Sequence, residues 1–427
     1  MLHISKKNIS LNPKNILSII KKYNTPIWLY DAEIIQKKIN QLNKFDIIRF
    51  AQKACSNIHI LKFIRSLQVK VDAVSLGEIE RALLAGFTPH NDEIIFTADM
   101  FDKETLNRII ELNITVNAGS LDMLKQLGKI SPGHRVWIRI NPKFGDGHNK
   151  KTNTGGENSK HGLWNPELAL PIIKKYKLNL IGLHMHIGSG VNYIHLQKVC
   201  HSMIQYSILL NQNIQYISAG GGLSIPYKST DSIVNTNHYF KLWNHTRNII
   251  SNYLGYKITL EIEPGRFLVG ESGILITQVY SIKYVYKKIF ILVDAGFNDL
   301  IRPAMYGSYH HISVLPYNGR NIKKSKKIKA IIGGPLCESG DIFTQDNTGE
   351  IQERILPEVK IGDYIIFHHT GAYGSSMSSN YNTKLLIPEI LFKNNIPQII
   401  RRKQTFQELF QQEMDIKNNS IFENQDI

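Results

Sequence analysis

The sequence predicts an α/β protein that combines a (β/α)8 barrel with a second domain of mainly antiparallel β-strands. Eight short apolar segments of β type alternate with stretches whose apolar residues recur at helical spacing. The chain has 427 residues, whereas a typical barrel needs roughly 250. Helical periodicity fades after about residue 280. A doubly wound open sheet fits the βα repeat nearly as well, and periodicity alone does not separate the two folds.

The predicted barrel strands are apolar and end on polar or small residues, as strands buried on both faces do. They cover 48–53, 70–74, 93–97, 114–118, 135–141, 179–188, 215–222 and 257–266. The predicted helices between them cover 57–67, 77–85, 103–112, 120–127, 166–176, 194–210 and 238–254. Because catalytic groups of such barrels come from the C-terminal ends of the strands, the polar strand ends are the first candidates for a site.

The second domain is predicted from short apolar runs separated by turns. Runs at 290–293, 328–332 and 364–368 show little helical periodicity, and a turn-forming Lys-Ile-Gly-Asp occupies 360–363. Residues 30–280 are therefore assigned to the barrel, and residues 1–29 with 281–427 to the β domain. The polar segment from about Gln411 is expected to fray.

Composition limits the classes of function. No stretch has the length and apolar character of a signal peptide core or a membrane span. The three cysteines are an odd number without metal-ligand spacing, which favours a reducing cytoplasm over a disulfide framework. The net charge of +16 comes from scattered lysine pairs rather than one basic patch. We therefore expect a cytoplasmic enzyme that binds neither nucleic acid nor membrane.

Lys53 ends the first predicted strand, after Phe50, Ala51 and Gln52. An amine at a barrel strand end can form a Schiff base with a carbonyl cofactor if burial depresses its pKa. The alternative is a surface lysine whose alkyl chain alone is buried. The apolar flanks favour an inward direction.

Two further strand ends complete a cofactor site. Gly220, Gly221 and Gly222 end the seventh strand, where bare backbone can approach a phosphate, although a flexible turn is the simpler explanation. Glu263, Gly265 and Arg266 end the eighth strand. A carboxylate there can hold a proton on a pyridine nitrogen while the arginine binds phosphate or carboxylate; a structural salt bridge is the alternative. An amine, a phosphate site and an acid for a ring nitrogen together indicate pyridoxal 5'-phosphate (PLP).

His184 and His186 lie two residues apart, hence on one face of the sixth strand. Zinc binding would need a third ligand, and none is obvious in the sequence. A flat imidazole stacked on a flat cofactor suits His186, with Ser189 reaching the phosphate. A histidine of the core remains the alternative.

Seven sequence blocks carry a resemblance to the diaminopimelate decarboxylase family, within the alanine racemase-like group of PLP enzymes. The likeness extends over nearly the whole chain, with the blocks in the family's order. The blocks are 50–54, 184–189, 219–223, 263–266, 293–303, 334–341 and 371–374.

The resemblance implies a homodimer whose two active sites are each completed by Cys337 and Glu338 of the other subunit. It implies that Tyr373 contacts phosphate or substrate, and that Arg302 and Tyr306 hold the distal end of the substrate. Diaminopimelate carries an amine and a carboxylate at that end, which a cation and an anion would recognise. The implied reaction is decarboxylation to L-lysine, with Lys53 carrying the cofactor, Glu263 keeping its ring protonated and Cys337 protonating the α-carbon.

Three residues depart from the family pattern, which puts hydrogen bonds around the site in question. Phe50 stands where tyrosine is usual, Cys55 where asparagine is common, and Leu76 where glycine is frequent. Other functions remain open: decarboxylation of ornithine or arginine, isomerisation of the alanine racemase type, or a PLP carrier without catalysis. The long second domain argues against the carrier.

Overall fold

The computed structural model describes residues 11–145, 154–186, 188, 190 and 192–414. The described chain begins with helix α1 (Pro13–Tyr23), strand β1 (Ile27–Asp31) and helix α2 (Ala32–Asn40). Eight parallel strands then close into a barrel: β2 (Ile47–Ala51), β3 (Lys70–Ala73), β4 (Ile94–Ala98), β5 (Thr115–Ala118), β6 (Arg135–Arg139), β7 (Asn179–His184), β8 (Tyr216–Ser218) and β9 (Thr259–Ile262). The barrel is confirmed, and the open sheet is excluded because β2 pairs directly with β9.

Helices alternate with these strands as the periodicity predicts. They are α3 (Ile58–Ser66), α4 (Leu76–Leu84), α5 (Lys103–Leu112), α6 (Leu121–Ile130), α7 (Ala169–Tyr176), α8 (Tyr193–Leu210) and α9 (Thr236–Leu254). Several begin at a polar residue whose side chain accepts a backbone N–H of the first turn, which satisfies a donor that the helix leaves free. Asp102 caps α5 through the N–H of Thr105 at 2.7 Å, and Ser120 caps α6 through that of Met123 at 3.2 Å.

The barrel interior is filled in layers. Residues two apart on a strand share one face, so Arg49 and Glu261 lie one layer below Ala51 and Glu263. Arg49 Nε and Nη2 donate to the Glu261 carboxylate at 3.1 and 3.0 Å, and both side chains are almost completely buried. Because a lone buried charge is strongly unfavourable, removing either partner of this bidentate pair would destabilise the barrel. The layer above this pair, at the C-terminal ends of the strands, lines the cavity described below.

The second domain is one sheet of nine strands. Its remaining elements are α10 (Arg266–Val269), β10 (Gly273–Val285), β11 (Lys288–Val293), α11 (Arg302–Tyr306), β12 (Ile312–Leu315), β13 (Lys327–Gly333), β14 (Arg354–Pro357), β15 (Tyr364–Phe367), β16 (Glu389–Lys393), β17 (Ile396–Arg401) and α12 (Phe406–Met414). The main strand order is β14-β13-β11-β10-β1-β16-β17, while β15 pairs with β10 and β12. Within the described part of this sheet, only β1 with β16 and β11 with β13 pair in parallel, which confirms the mainly antiparallel prediction.

The N-terminal segment joins this sheet, since β1 lies between β10 and β16 and α1 packs against it. The predicted domain boundary at residue 280 needs correction. It falls inside β10, whose residues from Gly273 onward pair with β1 and β15. The apolar run of β10 continues the barrel pattern in sequence, so only its partners reveal the change of sheet. We place the boundary between Ile262 and Gly273. No described helix is long and apolar enough to cross a membrane.

Candidate active site

A cavity of about 580 Å³ lies at the C-terminal ends of the barrel strands. Ten of the sequence-predicted site residues line it together: Lys53, His186, Gly221, Gly222, Glu263, Gly265, Arg266, Arg302, Tyr306 and Tyr373. They come from the C-terminal ends of four barrel strands, β2, β7, β8 and β9, and from two segments of the second domain. The wall of the cavity is therefore built by both domains.

Lys53 lies in a short turn rather than in the strand that the sequence predicts. Strand β2 ends at Ala51, and Gln52–Ala54 form a 3-10 turn. The Lys53 side chain lines the cavity, which agrees with the inward direction that its apolar flanks favour, and it is exposed there rather than buried. Two backbone contacts fix the turn, because Ala54 O accepts the N–H of Tyr373 at 2.8 Å and the hydroxyl of Ser376 at 3.2 Å. The second domain thus positions Lys53.

Glu263 is a buried carboxylate held from two sides. His184 Nε2 lies 2.8 Å from Oε2, and Ser218 Oγ donates to Oε1 at 2.8 Å. Burial alone would raise the pKa of Glu263, but the charge and hydrogen bond of His184 and the bond from Ser218 outweigh it and lower the pKa to about 2. The carboxylate is therefore ionised at neutral pH. His184, which was considered from the sequence as one of a pair of zinc ligands, instead orients Glu263.

His186 is a neutral ring in the cavity wall. Burial, with the charge of Arg139, holds its pKa well below the usual value. The N–H of Gly221 donates to His186 Nδ1 at 2.8 Å, so the proton of the neutral ring lies on Nε2. Gly221 has no room for a side chain, because a Cβ there would lie 2.6 Å from Glu263 O. The glycine run thus brings backbone against both His186 and Glu263.

Arg302 is a buried guanidinium without a carboxylate partner among the described residues. Its Nη2 donates to Ser308 Oγ at 3.1 Å, while Nε has no hydrogen-bond partner there. Burial lowers its pKa from the usual value. A buried cation of this kind favours an anionic ligand. Tyr306 and Tyr373 flank it, with ring centroids 5.5 and 5.6 Å from Cζ.

Three predicted site residues that the structure describes do not line this cavity. Cys337 and Glu338 are exposed on the second domain, and neither lines the cavity. Gly220 lies behind the wall, where a Cβ would be 2.3 Å from Met185 O. Ser189 lies outside the described residues. Of the departures, Phe50 and Cys55 are buried and Leu76 begins α4.

Two further buried residues line the cavity, Asp72 and Arg139, and the sequence assigns them no role beyond that of polar residues near strand ends. Burial, together with the charge of Glu263, raises the pKa of Asp72 to about 8, so this carboxyl is largely protonated at neutral pH. Arg139 is buried, and burial lowers its pKa. Their positions at the C-terminal ends of β3 and β6 were the signal that could have identified them.

A pair of loop residues at the cavity had no periodic signal at all. His161 Nδ1 lies 2.5 Å from Asp99 Oδ2, and the N–H of Gly162 donates to Asp99 Oδ1 at 3.1 Å. These two hydrogen bonds lower the pKa of Asp99 despite the opposing effect of burial. The pair joins the segment around residue 161 to the end of β4, 62 positions earlier in the chain.

The residues present fit PLP. An amine, Lys53, and an ionised buried carboxylate, Glu263, open on the same cavity with the neutral ring of His186. Two guanidinium groups without carboxylate partners among the described residues, Arg266 and Arg302, add the positive charge that a phosphate and a substrate carboxylate require. Within the described chain, no cluster of three or more His, Cys, Asp or Glu is arranged to hold a metal ion.

Comparison with known proteins identifies similar chains over almost the full length. The family model described as pyridoxal-dependent decarboxylase, pyridoxal binding domain, matches residues 32–270. A diaminopimelate decarboxylase of Buchnera aphidicola subsp. Acyrthosiphon pisum is 64% identical over 400 residues, which cover 94% of this chain and 96% of that protein.

Solved structures agree with the fold. A crystal structure of a diaminopimelate decarboxylase has 56% sequence identity and a TM-score of 0.94, and the match covers 97% of this chain and 99% of that one. The Helicobacter pylori diaminopimelate decarboxylase, crystallised in complex with L-lysine, has 31% identity and a TM-score of 0.79, over 93% of this chain and 98% of that one.

Proposed function

This chain belongs to the diaminopimelate decarboxylase family of pyridoxal-dependent decarboxylases, and we propose that it converts meso-2,6-diaminopimelate to L-lysine and CO2. The reaction would be the last step of lysine synthesis. The observation that carries the proposal is that Lys53, Glu263 and the buried Arg302 open on one cavity. An amine and a ring-nitrogen acid serve the cofactor, whereas the unpaired guanidinium serves a substrate with a second carboxylate. Three reduced cysteines suit a cytoplasmic enzyme.

PLP, when bound, supplies an electron sink for the charge left at the α-carbon as CO2 departs. The protein's own groups make this possible. Lys53 would hold the cofactor through its amine, and Glu263 would keep a proton on the ring nitrogen because its carboxylate is ionised. His184 and Ser218 hold that carboxylate in place. His186 would offer the cofactor a neutral surface that does not compete for the proton.

Arg266 and the glycine run are proposed to hold the phosphate, with Ser189 and Tyr373 assisting. Arg266 begins α10, and its guanidinium lies among tyrosines rather than carboxylates. Gly221, Gly222 and Gly265 form the adjacent wall. Arg302 with Tyr306 would then bind the distal carboxylate of the substrate, where a forked charge-assisted contact is available.

The positions of Cys337 and Glu338 support an active site shared between two subunits. Cys337 and Glu338 are exposed, although the proposed reaction needs a proton donor and a group for the distal ammonium. We propose a homodimer in which the partner's Cys337 donates its thiol proton to the α-carbon and the partner's Glu338 binds the ammonium. Tyr381 Oη donates to Glu338 Oε2 at 3.4 Å and the N–H of Gly340 donates to Oε1 at 3.3 Å, so both oxygens of this exposed carboxylate are held in place.

Subunit mixing tests this arrangement. Lys53→Ala and Cys337→Ala proteins should each be inactive, and their mixture should recover activity because a mixed dimer combines one intact lysine with one intact cysteine. The measurement is CO2 release after subunit exchange, with exchange shown by tagged chains. Mixing Lys53→Ala with Glu263→Gln is the control. Each of these changes damages the cavity of its own chain, so neither cavity of the mixed dimer is intact and the mixture should not recover activity. Exchange without recovery would place Cys337 outside the partner's site.

Glu263→Gln should lower kcat by about a hundredfold or more, since a neutral amide cannot hold the ring nitrogen protonated. The pKa of the Glu263 carboxyl is about 2, below its ordinary value, so its contribution is lost only as pH falls toward 2. Loss of wild-type activity at about pH 5 would therefore have another origin. Kinetics of this variant against Glu80→Gln, a half-buried surface glutamate that pairs with Arg108 and does not line the cavity, measure the effect. Equal rates would remove Glu263 from the mechanism.

The proposed activity itself is tested by the products. Purified protein supplied with PLP and meso-diaminopimelate should release one CO2 for each L-lysine formed. PLP-loaded, folded protein that forms neither product would reject the proposal.

A further inference from the structure

Tyrosine and arginine side chains alternate across the rear of the cavity. The distances from the arginine Cζ to the ring centroid are 5.7 Å for Arg266 and Tyr227, 5.5 Å for Arg266 and Tyr373, 5.6 Å for Arg302 and Tyr373, and 5.5 Å for Arg302 and Tyr306. Four of the five residues line the cavity, whereas Tyr227 does not. Arg266 thus lies near two rings, one of them behind the cavity wall.

Tyr227 is itself held firmly. Its hydroxyl accepts a hydrogen bond from Arg266 Nη1 at 3.3 Å, and its backbone N–H donates to Asp231 Oδ2 at 2.9 Å. His310 meets the ring edge-on, with centroids 5.5 Å apart and planes at 89°, and His369 approaches at 6.3 Å. The ring therefore has little freedom to move away from Arg266.

The two histidines that pack against Tyr227, His310 and His369, are uncharged. His310 is 3% exposed, and burial with the charge of Arg302 lowers its pKa to about 3. Its Nδ1 donates to His368 O at 3.0 Å, which fits a neutral ring. Burial likewise lowers the pKa of His369. Neutral imidazoles behind Tyr227 do not repel Arg266, so the tyrosine face remains a favourable surface for the cation.

We propose that Tyr227 is a positioning residue that holds the Arg266 guanidinium in the direction of the cofactor phosphate. The inference rests on the proposed function, because it assumes that PLP occupies the cavity. A long arginine side chain loses considerable rotamer freedom when it binds an anion. Packing between the rings of Tyr227 and Tyr373 removes that freedom in advance, which strengthens the phosphate contact.

Replacing the ring should weaken PLP more than pyridoxal, which lacks the phosphate. In Tyr227→Leu we expect the dissociation constant for PLP to rise about tenfold, the order of a desolvated cation–π contact, and that for pyridoxal to stay within about twofold. Tyr227→Phe keeps the ring and loses only a long hydrogen bond, so PLP should weaken less than about threefold. Protein stripped of cofactor is titrated with each compound, and visible absorption reports binding.

Two controls separate positioning from general damage. Tyr286→Leu removes an exposed tyrosine near Lys287, outside the cavity, and should bind PLP as wild type does. In an Arg266→Gln background, Tyr227→Leu should have little further effect on PLP, because the two residues act through one contact.

The outcomes are distinguishable. Wild-type protein that does not bind PLP would reject the proposed function. Wild-type binding with equal PLP affinity in Tyr227→Leu, or equal weakening of PLP and pyridoxal, would overturn the role of Tyr227. If Tyr227→Leu does not fold, a tenfold loss of PLP affinity in Tyr227→Phe would still contradict positioning by the ring.

Discussion

Lys53→Ala protein will lack the visible absorption band that the covalent link to PLP gives the wild type. Its turnover will fall by about 10²- to 10⁴-fold. The reason is chemical: only a primary amine can make the covalent link to the cofactor carbonyl, and Lys53 is a lysine that opens on the cavity beside Glu263. Spectra of the purified proteins after incubation with PLP, and CO2 release from diaminopimelate, measure the two effects.

A matched control is available on the next helix. Lys62 is an exposed lysine of α3 that does not line the cavity, and Lys62→Ala should remain coloured and active. Retention of the absorption band in Lys53→Ala would show that another amine carries the cofactor. A colourless wild type would contradict the cofactor assignment altogether.

Arg302→Met should lose about ten- to over a hundredfold in kcat/KM for diaminopimelate. Its guanidinium is buried and has no carboxylate partner in the described part of the chain. Loss of a charge-assisted bidentate contact costs roughly 1.5 to 3 kcal/mol. Methionine replaces the aliphatic part of the arginine side chain and carries no charge. The cofactor should stay bound, because the proposed phosphate arginine is Arg266.

An amino acid without the distal carboxylate separates recognition from folding. For lysine as a trial substrate, Arg302 is an unpaired buried cation, so its removal should cost far less and can even help. Arg302→Lys keeps a charge but loses the fork, and should fall between wild type and Arg302→Met. An equal loss on diaminopimelate and lysine would mean that Arg302 supports the structure instead of reading the substrate.

The barrel was predictable because its signal is local. The alternation of strand and helix between residues 47 and 262 follows from apolar spacing, and the predicted helix 103–112 coincides with α5. Closure was not predictable in this way, since it depends on β2 meeting β9 across more than two hundred residues. The predicted boundary at residue 280 was wrong for the same reason, because the apolar pattern of β10 does not show which strands it pairs with.

The site was predictable where chemistry coincides with a strand end. Glu263, His186 and Lys53 follow barrel strands, and the structure brings them to one cavity. The fine arrangement was not predictable. The 3-10 turn exposes Lys53, His184 takes a supporting role because its ring meets Glu263, and Asp99 with His161 meet only after folding. Cys337 is exposed and does not line this chain's cavity, so its proposed role requires a second subunit.

Substrate preference is the most direct test of the central claim. The PLP-loaded protein should be assayed for CO2 release from meso-diaminopimelate, ornithine, arginine and lysine under one set of conditions. A cavity whose buried Arg302 has no carboxylate partner in the described part of the chain predicts a kcat/KM for meso-diaminopimelate at least about 10²-fold above the other three, because only this substrate carries a distal carboxylate. Equal or faster decarboxylation of ornithine, arginine or lysine would contradict it.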